Sequence, residues 1–187
     1  VVTEAAAICM TYADRAPASG MAPPPGSAAR GDWYRWHCTL TNSVQEAFYR
    51  LLRPQRFTAD AAGADAVRDA ARADLGRWRG VIAAALDGRE YLAGDACTSA
   101  DIYLCMLTRW CRRLPEGERY GDDPALAAHF RRVADRFGQA EPHLLVRRAL
   151  GGIQLVARID VAELERAAPG QPALHLARQF RQLLGWQ

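Results

Sequence analysis

The sequence has no apolar run approaching the roughly 18 to 20 residues that a membrane-spanning helix needs. Its first residues also lack the order of positive charge, apolar stretch and small residues that marks a secretory leader. A cytoplasmic protein without a membrane partner is the expectation. Charge of one sign is missing as well: 24 basic residues face 21 acidic ones, a net +3. That surface is too balanced to select a polyanion, so nucleic acid is not expected as a partner. The five cysteines, Cys9, Cys38, Cys97, Cys105 and Cys111, contain no Cys-x-x-Cys spacing. An odd number lying mainly within apolar helical patterns reads as reduced, mostly buried thiols. The histidines, His37, His129, His143 and His175, are scattered without metal-ligand spacing, so no metal is expected. Internal repeats are absent, and β-branched residues are sparse against abundant Ala and Arg. Branching at Cβ restricts χ1 in a helix, whereas Ala and Arg lose little freedom there, so the composition favours helices.

What is present is enough for a core. Of 187 residues 50% are apolar, and the length suits one domain or one domain with an appendage. Residues 3–14 form a short Ala-rich helical pattern, with Thr3 as its candidate cap. The stretch Ala16 to Ser27 carries four prolines and two glycines and reads as a surface linker. From Asp32 to about Leu52, the residues Trp33, Trp36, Leu40, Val44, Phe48 and Leu51 recur at three- and four-residue steps until Pro54, which marks one long amphipathic helix. A second stripe follows in Val67, Ala71, Leu75, Trp78, Ile82 and Ala85. Two such helices joined by a modest loop pack antiparallel.

The segment from Thr98 to about Arg113 is different. Ile102, Tyr103, Leu104, Cys105, Met106, Leu107 and Trp110 cover nearly its whole circumference, and a helix apolar all round is buried. Leu126, Phe130, Val133 and Phe137 mark an outer helix after Pro124, and Leu144 to Leu150 a shorter one before Gly151-Gly152. In the appendage Ile153 to Gln187, Asp160 and Glu163 form a candidate capping box, and a last helix runs from Pro172 with Leu176, Phe180 and Leu183 on one face. Its Arg178 and Arg181 read as a solvated face. Only Ile153 to Ile159 leans towards strand, so the class is all-α.

Bringing a helix start into the interior strands its first N–H groups away from water. With Thr98 as the cap, its hydroxyl takes one of them, and the Asp101 carboxylate reaches back to the Thr98 N–H and favours the positive helix end. Cys97 and Ile102 occupy the places of a hydrophobic staple, and Gly94 permits the tight approach before the cap.

The run Tyr91-Leu92-Ala93-Gly94-Asp95, Thr98, Asp101 and Ile102 through Arg109-Trp110 resembles the buried central helix of cytosolic glutathione transferases, most closely the bacterial, beta-like members. Their pattern there is Gly-x-x-apolar-Ser/Thr-x-x-Asp-apolar. The resemblance implies a helical bundle of the glutathione S-transferase C-terminal type over residues 30–152. Residues 1–15 would be the remnant last helix of a thioredoxin-like domain, 16–29 the linker, and 153–187 a helical extension outside the resemblance. Thr3-Glu4-Ala5-Ala6-Ala7-Ile8 and Tyr12-Ala13-Asp14-Arg15 resemble that last helix, in which an acid followed by Ser holds the γ-glutamyl end of glutathione. Glu4 matches and Ala5 replaces the Ser. It keeps the N–H and loses the hydroxyl, so weaker glutathione affinity is implied.

The thioredoxin-like strands and the residue that activates the thiol lie, in that family, before the point corresponding to Val1. A truncated chain is therefore the expectation, and no catalytic residue is assigned. Cys9 sits on the wrong element and is read as buried. Gln45 falls where beta-like members carry a His near the glutathione sulfur; an amide hydrogen bonds there but does not titrate. Phe48 and Trp110 fall on the electrophile pocket of the family, and both also read as core aromatics. His37, beside Tyr34, has no Ser or acid at a recognisable spacing.

Two functions stand. One is glutathione conjugation to small apolar electrophiles once a thioredoxin-like domain completes the site, with glutathione as co-substrate and a homodimer as the family habit. The other is a non-catalytic binding or assembly module that kept only the helical half, which Ala5 and Gln45 also suit.

Overall fold

The computed structural model describes residues 3–136. The sequence expectations for Phe137, the Leu144 to Leu150 helix, His143, His175 and the Ile153 to Gln187 extension lie outside the described residues. Within them the chain is helical and contains no strand, as the composition requires. Six α-helices follow one another: α1 (Ala5–Arg15), α2 (Ala28–Thr39), α3 (Glu46–Leu52), α4 (Ala61–Ala85), α5 (Ser99–Trp110) and α6 (Pro124–Arg136). A π-helical turn, Leu40–Gln45, joins α2 to α3 without a break in the rod. The long helix starts at Ala28 rather than Asp32, so the linker gives up its last residues.

Both stripes point inward. Trp33, Trp36, Leu40, Val44 and Phe48 are fully enclosed, as are Ala71 and Ile82 from α4. α3 makes its most extensive packing on α4, and Arg50 ties the two together, pairing with Glu46 at 2.8 Å on its own helix and with Asp74 at 2.7 Å across. The Arg50 hydrogen bond is the main cause that holds the Asp74 carboxyl below its ordinary range. α5 passes through the centre: every residue from Ser99 to Cys105, with Leu107 and Thr108, is buried. α6 adds Leu126 and Val133 from outside. Its start is capped by the Asp123 carboxylate, which accepts from the Ala125 and Leu126 N–H groups, satisfying donors that the first turn leaves without partners.

The linker is more than a surface tether. Met21 offers its carbonyl to the Ser99 N–H at 2.9 Å, and Pro23 is buried. Arg30, itself buried, donates to the Pro23 carbonyl at 2.8 Å and to Asp14 at the end of α1. Its guanidinium lies 4.5 Å from the Trp33 ring centre, within cation–π range. α1 is thereby latched to the helical bundle. Its cap is Glu4 rather than Thr3, in the left-handed region at φ 68° and without a side-chain cap bond. Glu4 is the single non-glycine of positive φ among the described residues.

Candidate functional site

At the start of α5 the structure contains the reciprocal capping box between Thr98 and Asp101. The Thr98 N–H donates to Asp101 Oδ2 at 2.8 Å, the Thr98 hydroxyl donates to the same oxygen at 2.9 Å and accepts from the Ala100 N–H at 3.3 Å. The other carboxylate oxygen, Oδ1, accepts from the Leu92 N–H at 2.8 Å and meets His129 Nε2 at 3.0 Å. Asp101 is wholly inaccessible, so one side chain joins the loop before α5, the start of α5 and α6. Cys97 and Ile102 are both buried beside it, in the staple positions. Gly94 has φ 75°, and a Cβ built there meets the Ala29 Cβ at 3.2 Å. Both the conformation and the space call for glycine.

Next to this cap His37 does find a serine. Ser99, one residue after Thr98, places its Oγ 2.8 Å from His37 Nε2 and accepts from the Trp33 indole N–H at 3.1 Å. Sequence spacing concealed the pair, because 62 residues separate its members. The group is sealed: His37 is fully buried and its Nδ1 has no partner. Burial lowers its pKa to about 4. A neutral imidazole with a twice-bonded hydroxyl, closed to solvent, is a structural plug joining α2 to α5, with no access for a substrate.

The residues assigned by resemblance to ligand contact lie elsewhere, around the π-helical turn. Thr41 and Gln45, both in that turn, meet Tyr103 of α5. The Thr41 hydroxyl donates to the Tyr103 hydroxyl at 3.3 Å, Tyr103 donates to Gln45 Oε1, and Gln45 Nε2 donates to the Tyr49 hydroxyl at 2.8 Å. Burial pushes the Tyr103 phenol up to about 12, an effect to which Cys9, Tyr49 and Glu4 add and which the Thr41 bond opposes. Glu4 and Gln45, predicted from separate segments, thus both bear on Tyr103. Glu4 is exposed and Ala5, the first residue of α1, is half-buried. Phe48 is fully enclosed, edge-on to Trp110 at 5.9 Å, and Tyr49 lies 6.3 Å from the same indole. Trp110 itself is half-buried. Tyr49, Thr41 and Tyr103 were missed because nothing in local spacing joins them.

None of the cysteines with a perturbed pKa is activated. Burial pushes Cys9 up to about 11 and Cys97, Cys105 and Cys111 up to about 12, whereas a nucleophilic thiol needs the opposite shift. Cys38, expected among the buried thiols, is exposed on α2. No group of three or more metal-ligating side chains occurs among the described residues, and no described helix is long and apolar enough to cross a membrane. A groove of about 240 Å³ between Arg72, Leu75, Arg79, Leu114 and Glu118 lies on α4. Its Arg79 is already bonded to the Gly117 and Arg119 carbonyls.

A buried central helix with this cap, crossed by a long two-part helix, defines a class. Residues 40–136 match the family model of the glutathione S-transferase C-terminal domain, and the chain belongs to the glutathione S-transferase family. It is 30% identical over 132 residues to glutathione S-transferase GST-4.5 of Xanthomonas campestris pv. campestris, a match that takes in 71% of this chain and 64% of that protein. Its fold is similar to the bacterial beta-class glutathione S-transferase of Sphingomonas chungbukensis, with TM-score 0.62, 26% identity, and coverage of 81% of this chain and 67% of that one. A sphingomonad glutathione S-transferase solved in complex with glutathione gives TM-score 0.61 and 30% identity over the same shares. The chain therefore spans about two thirds of the length of these relatives.

Proposed function

We propose that this chain supplies the substrate wall of a glutathione transferase and conjugates glutathione to small apolar electrophiles when a thioredoxin-like domain completes the site. The observation that carries the reading is the convergence of Glu4 and Gln45 on Tyr103, with Tyr49 and the half-buried Trp110 beside them. The sphingomonad relative is a complex with glutathione, and in this chain the corresponding ligand would lie between the start of α1 and the π-helical turn. Glu4 would meet the ligand ammonium and the Ala5 N–H its carboxylate. Trp110, backed by Phe48, would form an apolar wall for the electrophile.

The reaction is attack of the glutathione thiolate on an electrophilic carbon. The carbon–sulfur bond forms as the leaving group departs with its bonding electrons, and the thiol proton is lost before attack. The chain contributes position and desolvation; thiol activation belongs to the thioredoxin-like half. A cytoplasmic location and a homodimer accompany this reading as proposals. Titration calorimetry of this chain with S-hexylglutathione tests it: saturable binding is expected, and the absence of any heat at millimolar ligand refutes it.

A second reading has its own support. Both polar ends of the Gln45 side chain are engaged within the protein, and Ala5 lacks the family's hydroxyl. A binding or assembly module without conjugating activity fits those two facts, and a defined complex formed by chain that ignores glutathione would favour it.

A further inference from the structure

The hydrogen bonds around the π-helical turn have a direction. Tyr103 is buried, and its hydroxyl accepts from Thr41, so its own hydrogen needs an acceptor. Gln45 Oε1 provides it. The opposite orientation of the amide would leave two donors on the Tyr103 oxygen and orphan its hydrogen in the interior, which costs about 1–3 kcal/mol. With the amide so fixed, Gln45 Nε2 donates to the Tyr49 oxygen. The polarity therefore runs Thr41, Tyr103, Gln45, Tyr49, and among the described residues the Tyr49 hydrogen meets no acceptor. Tyr49 is half-buried and its ring lies beside the half-buried Trp110. A donor with its acceptor side already occupied, held at an aromatic wall, is oriented to recognise an acceptor brought by something else.

We propose that Tyr49 is a specificity-determining donor of the electrophile wall, selecting substrates that carry an oxygen acceptor, such as a nitro or carbonyl group, on an aromatic body. This rests on the reading that Trp110 lines the electrophile site. Gln45 and Tyr103 are then positioning residues that act through Tyr49.

The test compares two ligands differing only in the acceptor, S-(4-nitrobenzyl)glutathione and S-benzylglutathione, titrated by calorimetry into the full chain and its Tyr49→Phe variant. The wild-type chain is expected to bind the nitrobenzyl conjugate about 3- to 10-fold more tightly, the gain of one net hydrogen bond. Tyr49→Phe keeps the ring against Trp110, and the expected result is loss of that preference with S-benzylglutathione affinity changed less than twofold. A preference that survives in Tyr49→Phe, or is absent from the wild type while both conjugates bind, overturns the assignment of Tyr49 and leaves the transferase reading standing. Failure of the wild type to bind either conjugate overturns both.

Discussion

Replacing Asp101 by alanine isolates what the buried cap contributes. The carboxylate accepts from the Thr98 and Leu92 N–H groups at 2.8 Å, from the Thr98 hydroxyl at 2.9 Å, and meets His129 Nε2 at 3.0 Å. The hydroxyl is free to turn to another acceptor once the carboxylate is gone. The two N–H groups and the imidazole have no water to turn to, since Asp101 is inaccessible. At about 1–3 kcal/mol for each stranded buried group, Asp101→Ala is expected to cost about 4–6 kcal/mol. That is a large part of the roughly 5–15 kcal/mol of a typical domain. Thr98→Ala removes only the hydroxyl cap, at about 1–2 kcal/mol. Urea unfolding followed by the fluorescence of the buried Trp33 and Trp36 measures both. The double variant is the sharper arm: the hydroxyl and carboxylate share a bond, so its cost should fall below the sum of the two single costs. Strict additivity, or an Asp101→Ala variant no less stable than Thr98→Ala, would refute the idea that one carboxylate organises three segments.

Other perturbations follow from the same coordinates. His37 has its pKa lowered to about 4 by burial, against about 6.5 unfolded. The unfolded chain then binds the proton more readily, so stability is full above pH 6.5 and falls by up to about 3 kcal/mol as pH drops to 4; His37→Phe should flatten that limb in a series of urea titrations. Gly94→Ala forces a side chain into φ 75° with its Cβ 3.2 Å from Ala29, and a thermal melt should report a loss of about 1–2 kcal/mol. Arg30→Met removes the latch to Asp14 and Pro23; amide exchange in α1 should accelerate while α4 stays protected. Ala5→Ser restores the hydroxyl to the first residue of α1 and is expected to tighten glutathione-conjugate binding about tenfold in calorimetry.

Much of the fold was legible because its information is local. The inward residues of the long helices announce themselves by periodicity, and the cap at Thr98 and Asp101 is a four-residue pattern. The partners of that cap were not legible: His129 reaches Asp101 across 28 positions, and Ser99 reaches His37 across 62. No propensity or spacing rule joins such residues; only the packing of α2, α5 and α6 does. The candidate site divides the same way. Gln45 and Trp110 came from resemblance, while Tyr49 and Tyr103 gain meaning only once a hydrogen bond between separate helices is seen. The π-helical turn had left one trace, the strict fourfold spacing of Trp36, Leu40, Val44 and Phe48. In a regular α-helix each step of four overshoots a turn by about 40°, so three steps would carry the last side chain about 120° away from the first. The wider turn takes up that drift.

That turn sets how this wall can change. Deleting one residue between Leu40 and Gln45 would let the rod close into an ordinary helix, swinging everything from Glu46 onward by about 100°. Phe48 would leave the core and Tyr49 would leave the neighbourhood of Trp110 in the same step, with the Arg50 tie to Asp74 broken as well. Substitutions here can tune what the wall recognises by degrees, whereas changes of length can only keep the whole aromatic group or discard it.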